Sequence, residues 1–329
     1  MKALVFDEIG GAISLQDMKN PVCPPGGAVV EVRATGVCRS DWHAWRGHDP
    51  VSLPHVPGHE FAGVVVESSA ELFAVGDRVT APFVNGCGEC DYCRSGNAQI
   101  CPSQTQPGFT HHGSFAERVV VRAAGTNLVR LPEEIDFVAA AALGCRFATA
   151  FRALRGPLPP NATVAVYGCG GVGLSAVMIA VALGARVLVV DPSPAARAAA
   201  VDLGAVAKAE IVGEADVAID AYGSAATAMA SVRSLRRGGR HVQVGLMLGD
   251  NARAPLPWDL VVAHELSVVG SHGMAAVDYP AMLDLVVSGR LNPRRLVGST
   301  IPLAEAGKAL MAMDDPIARA AGIVVAVNG

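Results

Sequence analysis

The spacing of hydrophobic and polar positions changes character twice along the chain. From residue 1 to about 145, short alternating runs such as AVVEVRATGV (28–37) and FAGVVVES (61–68) are separated by clusters of Gly and Pro. This pattern predicts β-strands joined by turns. From about 146 to 272, compact apolar runs appear instead: VAVYG, RVLVVD, VAIDAYG, HVQVGL and LSVVG. Runs of this kind suit strands buried on both faces of a parallel sheet. Helical segments such as AARAAAVDLGA and ATAMASVRSLRRGG lie between them, so the region is expected to be a doubly wound α/β unit. The tail, 273–329, predicts two amphipathic helices, YPAMLDLVVSGRL and LAEAGKALMAMDD, followed by a strand, GIVVAV. No internal repeat or low-complexity segment interrupts this organisation.

Composition narrows the function classes. The chain has 329 residues, enough for about two domains, with 17% charged residues and a formal net charge of −4. No long run of either sign appears, which argues against a nucleic-acid binder driven by phosphate neutralisation. The 51% hydrophobic content raises the question of a membrane, and the uncharged run NATVAVYGCGGVGLSAVMIAVALGA (161–185) is long enough to span one. Its clustered glycines break it into a β-rich half and a helical half, so a strand–turn–helix is expected, with no membrane segment. The N-terminus, MKALVFDEIGG, has acids where a secretory signal would carry its apolar core, so the expected compartment is the reducing cytoplasm.

Two local motifs carry chemistry. YGCGGVG (167–173) satisfies G-x-G-x-x-G through Gly168, Gly170 and Gly173, directly after a predicted strand and at the opening of a predicted helix. There Gly168 would permit a tight turn, Gly170 a close approach of a pyrophosphate, and Gly173 close packing of helix on strand. The next strand ends in Asp191, about twenty residues on, where an acid grips ribose hydroxyls and repels a 2′-phosphate, favouring NAD over NADP. A purely structural glycine turn is the alternative. The second motif, CGECDYCRSGNAQIC (87–101), places Cys87, Cys90, Cys93 and Cys101 on a turn-rich loop. Four thiolates close a tetrahedral zinc site that leaves no position for substrate, so the expected role is structural. Free thiols or two disulfides are the other options.

The order GVCRSDWH, PGHEFAG, CGECDYCRSGNAQIC, LGCRFATAF and YGCGGVG…D resembles the zinc-dependent alcohol dehydrogenases of the medium-chain dehydrogenase/reductase family, bacterial type. The likeness spans nearly the whole chain. It implies a GroES-like β-rich catalytic domain (1–145 and 273–329) and a Rossmann coenzyme domain with a doubly wound parallel sheet (146–272). It further implies that Cys38, His59 and Cys145 hold a catalytic zinc with one open position. Glu60 would stand near that metal, Asp41 would orient an imidazole, Ser40 would contact the substrate oxygen, and His43 would finish a proton relay. Cofactor contacts would come from Arg39, Thr149, Gly168, Gly170, Gly171, Val172, Gly173, Asp191 and Leu246. Two zinc ions and NAD are the cofactors implied, and a homo-oligomer, tetramer before dimer, the assembly.

The implied reaction is reversible oxidation of a primary or secondary alcohol to an aldehyde or ketone. Zinc would lower the alcohol's pKa, and histidine suits the end of a relay titrating near neutrality. Trp42, Trp45 and Phe83 lie beside the motifs and would either line an apolar pocket or belong to the core. Two departures stand out: Ala196 occupies the usual place of a basic adenosine contact, with Arg197 one later, and no clear basic residue immediately precedes GIVVAV. A polyol dehydrogenase is the nearest alternative, disfavoured by Cys145 at the third ligand position. A zinc-free quinone or enoyl reductase and a non-catalytic zinc- and NAD-binding sensor stand further off.

Overall fold

A computed structural model describes residues 1–156, 158–315 and 322–328. The chain forms two compact units, Met1–Ala148 with Gly273–Gly329, and Thr149–His272.

The second unit is a six-stranded parallel sheet. Its strands are β1 (Thr163–Tyr167), β2 (Arg186–Val190), β3 (Val206–Ala207), β4 (Ala215–Asp220), β5 (Leu235–Gln243) and β6 (Ser267–Gly270). Their spatial order is β3-β2-β1-β4-β5-β6, the arrangement of doubly wound dinucleotide-binding sheets. Val164, Val166, Leu188, Val189 and Ile219 are buried, as expected for strands covered on both faces. Two helices begin on sequence-encoded caps: Ser193 accepts from the Ala196 N–H ahead of Pro194, and Ser224 accepts from the Thr227 N–H. The segment ATAMASVRSLRRGG is helical only as far as Arg233, and Leu235 already pairs with Ala215 in the sheet. Tertiary pairing there overrides the local helical pattern.

The first unit is built on the long strand Ala28–Val37, which pairs antiparallel with Glu60–Ser68, Arg118–Val121 and the C-terminal strand Ile323–Val327. That last pairing is why residues after 272 belong with the N-terminal region. The tail contains an element that its hydrophobic pattern did not announce, the strand Val297–Pro302, parallel to Ile323–Val327. Its residues alternate between half-buried and exposed, without the apolar face that marks a strand in sequence. Among the described residues, no helix is long and apolar enough to cross a membrane.

Candidate metal and dinucleotide sites

Strand register assembles the first site. Gly36 stands opposite Glu60, so Cys38, which follows Ala28–Val37, and His59, which precedes Glu60–Ser68, emerge side by side. Cys145 arrives on a π-helical turn, Leu143–Phe147, a geometry concentrated at functional positions. One donor atom from each of Cys38, His59, Glu60 and Cys145 lies within 4.8 Å of the others, and all four residues are buried. Residues 21 and 86 positions apart in sequence thus meet around one point.

The surroundings of this point are specific. Asp41 is fully buried; its Oδ1 accepts hydrogen bonds from His59 Nδ1 (2.8 Å) and the Gly58 N–H (2.9 Å), and its Oδ2 accepts one from the Cys38 N–H (3.3 Å). With Nδ1 turned to Asp41, the other ring nitrogen, His59 Nε2, is buried and without a hydrogen-bond partner. An orphaned buried polar atom is costly, and a cation held by Nε2 with the Cys38 and Cys145 sulfurs would remove that cost. Glu60 accepts from the Arg146 backbone N–H and Nε, each at 3.1 Å, and forms an ion pair with the Arg146 guanidinium. This Arg146 partnership was not expected from sequence, although Arg146 directly follows Cys145.

Charge is distributed to match. The Cys38 thiol is held well below the usual thiol range, first by the hydrogen bond from Cys145, with burial opposing, then by Arg146 and His59. The same bond, together with burial, pushes Cys145 well up. Burial is the largest influence and works against a charged His59, but the Asp41 carboxylate and Cys38 together outweigh it and raise this imidazole well above its ordinary value. Burial raises Glu60, with Arg146 opposing. The cluster therefore favours positive charge at its centre.

Ser40 lies beside this centre, its Oγ 3.8 Å from the Cys38 sulfur. Arg39 donates to the Met313 carbonyl (2.8 Å) and lies over the Trp42 ring. His43 does not stand alone on its helix, Arg39–Trp45: its Nδ1 is 3.0 Å from the Nδ1 of His48, a residue sequence reasoning passed over. The three candidate pocket aromatics separate. Trp45 is core, buried with its Nε1 on the Gly11 carbonyl; Trp42 packs edge-on to His43 and His48; Phe83 stands edge-on to His59. Phe109, from the loop after the cysteine cluster, comes closer to the His59 ring, at 5.2 Å between centroids. No local signal marked it, because its approach depends on the packing of Gly108 against Gly58.

The second cluster, Cys87, Cys90, Cys93 and Cys101, also gathers within 4.8 Å. The sulfurs stand 3.5 Å apart for Cys90–Cys93, 3.7 Å for Cys90–Cys101 and 3.9 Å for Cys87–Cys93. Four sulfurs about 2.3 Å from one tetrahedral ion sit about 3.8 Å apart, whereas a disulfide needs about 2.05 Å. All eight cysteines are free of disulfides, and the donor set fits zinc.

In the parallel-sheet unit, Gly168 has φ +90° at the turn after β1, and a Cβ on Gly173 would fall 1.8 Å from the Gly168 carbonyl oxygen. A Cβ on Gly170 would meet nothing, leaving open space where a pyrophosphate would approach. The helix Gly171–Ala182, containing Val172, opens directly behind. Asp191 accepts from the Cys169 N–H (2.7 Å) and the Ser193 N–H (2.8 Å). Arg197 donates to the Asp191 carbonyl, so a basic group still neighbours the acid despite Ala196. Thr149 is buried, and Leu246 is exposed. Residues 318–321, just before the final strand, lie outside the described residues.

Residues 24–133 match the alcohol dehydrogenase GroES-like domain, and residues 171–288 match the zinc-binding dehydrogenase domain. An alcohol dehydrogenase of Geobacillus stearothermophilus is 34% identical over 311 residues, covering 89% of this chain and 90% of its own length. This chain belongs to the zinc-binding alcohol dehydrogenase family. A sorbitol dehydrogenase of Halalkalibacterium halodurans is 31% identical over 333 residues, with 95% of this chain and 96% of its own covered. The solved alcohol dehydrogenase TADH from Thermus sp. ATN1 superposes with a TM-score of 0.90 over the full length of both chains, at 31% identity. The enzyme is thus an oxidoreductase acting on CH–OH groups of small molecules, with zinc and a nicotinamide dinucleotide as cofactors. The GroES-like plus Rossmann architecture expected from the motifs is the one present.

Proposed function

We propose that this dehydrogenase is NAD-preferring, holds two zinc ions per chain and oxidises alcohols at the Cys38–His59–Cys145 cluster. The observation that carries this reading is the buried, unpartnered His59 Nε2 clustered with two buried thiols. Bound zinc would supply Lewis-acid activation of the alcohol oxygen, and bound NAD a hydride acceptor. Asp41 fixes the imidazole tautomer that leaves Nε2 free for metal. Ser40, beside the Cys38 sulfur, would take the hydroxyl proton, and His43 would receive it from the Ser40 side. Glu60, paired with Arg146, lies within the same donor cluster and would help to balance the cation's charge. Arg39, Thr149, Leu246 and the Gly168–Gly173 turn would contact the dinucleotide, and Asp191 would grip its ribose. Cys87, Cys90, Cys93 and Cys101 would hold the structural ion. The working form would be a cytoplasmic homo-oligomer, most simply a tetramer.

Metal analysis combined with NADH production on a panel of alcohols and polyols tests this. Two zincs per chain and alcohol turnover are expected, and Cys38→Ser should abolish turnover while NADH still binds. Full activity of Cys38→Ser would defeat the assignment. Faster turnover of sorbitol than of any simple alcohol would favour the polyol reading that the 31% relative raises.

A further inference from the structure

The backbone at the end of the helix Arg39–Trp45 forces two imidazoles together. The His48 N–H bonds to the His43 carbonyl (2.9 Å) and the Gly47 N–H to the Ala44 carbonyl (3.0 Å). This pair of bonds is a Schellman motif, in which the residue after the left-handed glycine packs against the residue one turn back. Gly47 has φ +75°, and a Cβ there would lie 2.8 Å from Ile9 Cγ2, so only glycine fits. The motif usually closes over an apolar contact; here it closes over His43 and His48, with Nδ1 atoms 3.0 Å apart. Trp42 stands edge-on to both rings, at 5.0 and 5.4 Å, and is itself held by Asp314 through its Nε1. His43 is half-buried and His48 exposed, so His48 is the member of the pair more open to solvent.

We propose that His48 is the outer member of a two-imidazole proton wire and delivers to water the proton that His43 collects. The inference rests on the Ser40–His43 path proposed above. Two neutral rings joined through their Nδ1 atoms share one proton, with His43 as donor and its Nε2 free. A proton released by the alcohol hydroxyl enters at His43 Nε2. The His43 Nδ1 proton crosses to His48 Nδ1, and the His48 Nε2 proton leaves to water. One proton has then moved outward, and the rings are left in the tautomers needed to carry one inward during carbonyl reduction. Arg39, Asp49, Cys38 and the partner ring are the charged and titratable groups that act on His43, while Asp314 also pairs with Arg46. Burial, then a charge on His48, then Arg39 lower the His43 value, so protonation of both rings at once is disfavoured.

The test uses the zinc-loaded enzyme, NAD and ethanol or benzyl alcohol, with single-turnover proton release followed by an indicator dye at low buffer strength. His48→Gln should slow release about tenfold or more, added imidazole should restore it, and His43→Gln combined with His48→Gln should be no slower than the slower single variant. Slow release in His43→Gln beside wild-type release in His48→Gln overturns the wire and leaves the Ser40–His43 path standing. Wild-type release in His43→Gln overturns that path and the wire with it. In the folded enzyme, NMR titration of His43 should move to higher pH in His48→Gln; an unmoved midpoint also overturns the pairing.

Discussion

Replacing Asp41 by asparagine isolates the part of the metal site that acts through a neighbour. Asp41 is fully buried and accepts three hydrogen bonds, from His59 Nδ1, Gly58 N and Cys38 N. Asparagine keeps an oxygen for the first two, but its amide then confronts the Cys38 N–H, donor against donor, across 3.3 Å. A hydrogen bond to a charged acceptor stabilises by about 1.5–3 kcal/mol, against about 0.5–1.5 for a neutral one. The two retained bonds therefore weaken by about 2–3 kcal/mol together. His59 also loses the carboxylate that makes its Nε2 a strong donor to a cation. Groups that orient a metal-binding histidine change affinity by about 10–100-fold when mutated, or about 1.4–2.7 kcal/mol, in line with the hydrogen-bond count. Competition with a chromophoric chelator measures this. Asp41→Asn should release one zinc about 10–100-fold more readily, while the ion at the Cys87–Cys101 loop is unaffected and serves as an internal control. Equal retention of both ions in variant and wild type would show that the Asp41–His59 bond does not set the affinity.

Other consequences follow from single contacts. Gly36→Ala would put a Cβ 2.4 Å from Glu60 Oε2 and 3.1 Å from the Arg146 guanidinium, so urea denaturation should show a loss of about 1–3 kcal/mol together with reduced turnover. Burial pushes His111 down to about 4 from an ordinary value of 6.5. The unfolded chain therefore binds this proton between those values and the folded one does not, so stability should fall as pH drops from about 6.5 towards 4, by at most about 3 kcal/mol. His111→Gln should flatten that decline relative to wild type when unfolding is compared at pH 7.5 and 5. Asp191→Ser should weaken NADH binding about tenfold and narrow its advantage over NADPH in fluorescence titrations, since the acid that repels a 2′-phosphate is gone. Unchanged relative affinities would remove Asp191 from cofactor choice.

How much was legible in advance depended on how local the cause was. The glycine turn, the cysteine loop and the parallel strands are short-range patterns, set by spacing, alternation and the conformational freedom of glycine. They lie in the structure where the sequence indicates them. Cys38, His59 and Cys145 were separately unremarkable, and only the resemblance of the whole chain to a family joined them. What brings them together is the pairing of Gly36 with Glu60 and a π-turn laid against it, neither of which any window of sequence contains. The same holds for Arg146 on Glu60, Phe109 over His59 and the unannounced strand Val297–Pro302.

The amino-acid order by itself thus determined the element types, the two motif-bearing loops and the chemical nature of the donors. The tertiary structure decided which donors converge, which imidazole tautomer a buried carboxylate enforces, and that His43 has His48 as a partner. The division has one physical origin. Backbone preference and residue spacing act within a few residues, whereas the desolvation and charge that shape this site arise only when distant strands and turns exclude water from the same small volume.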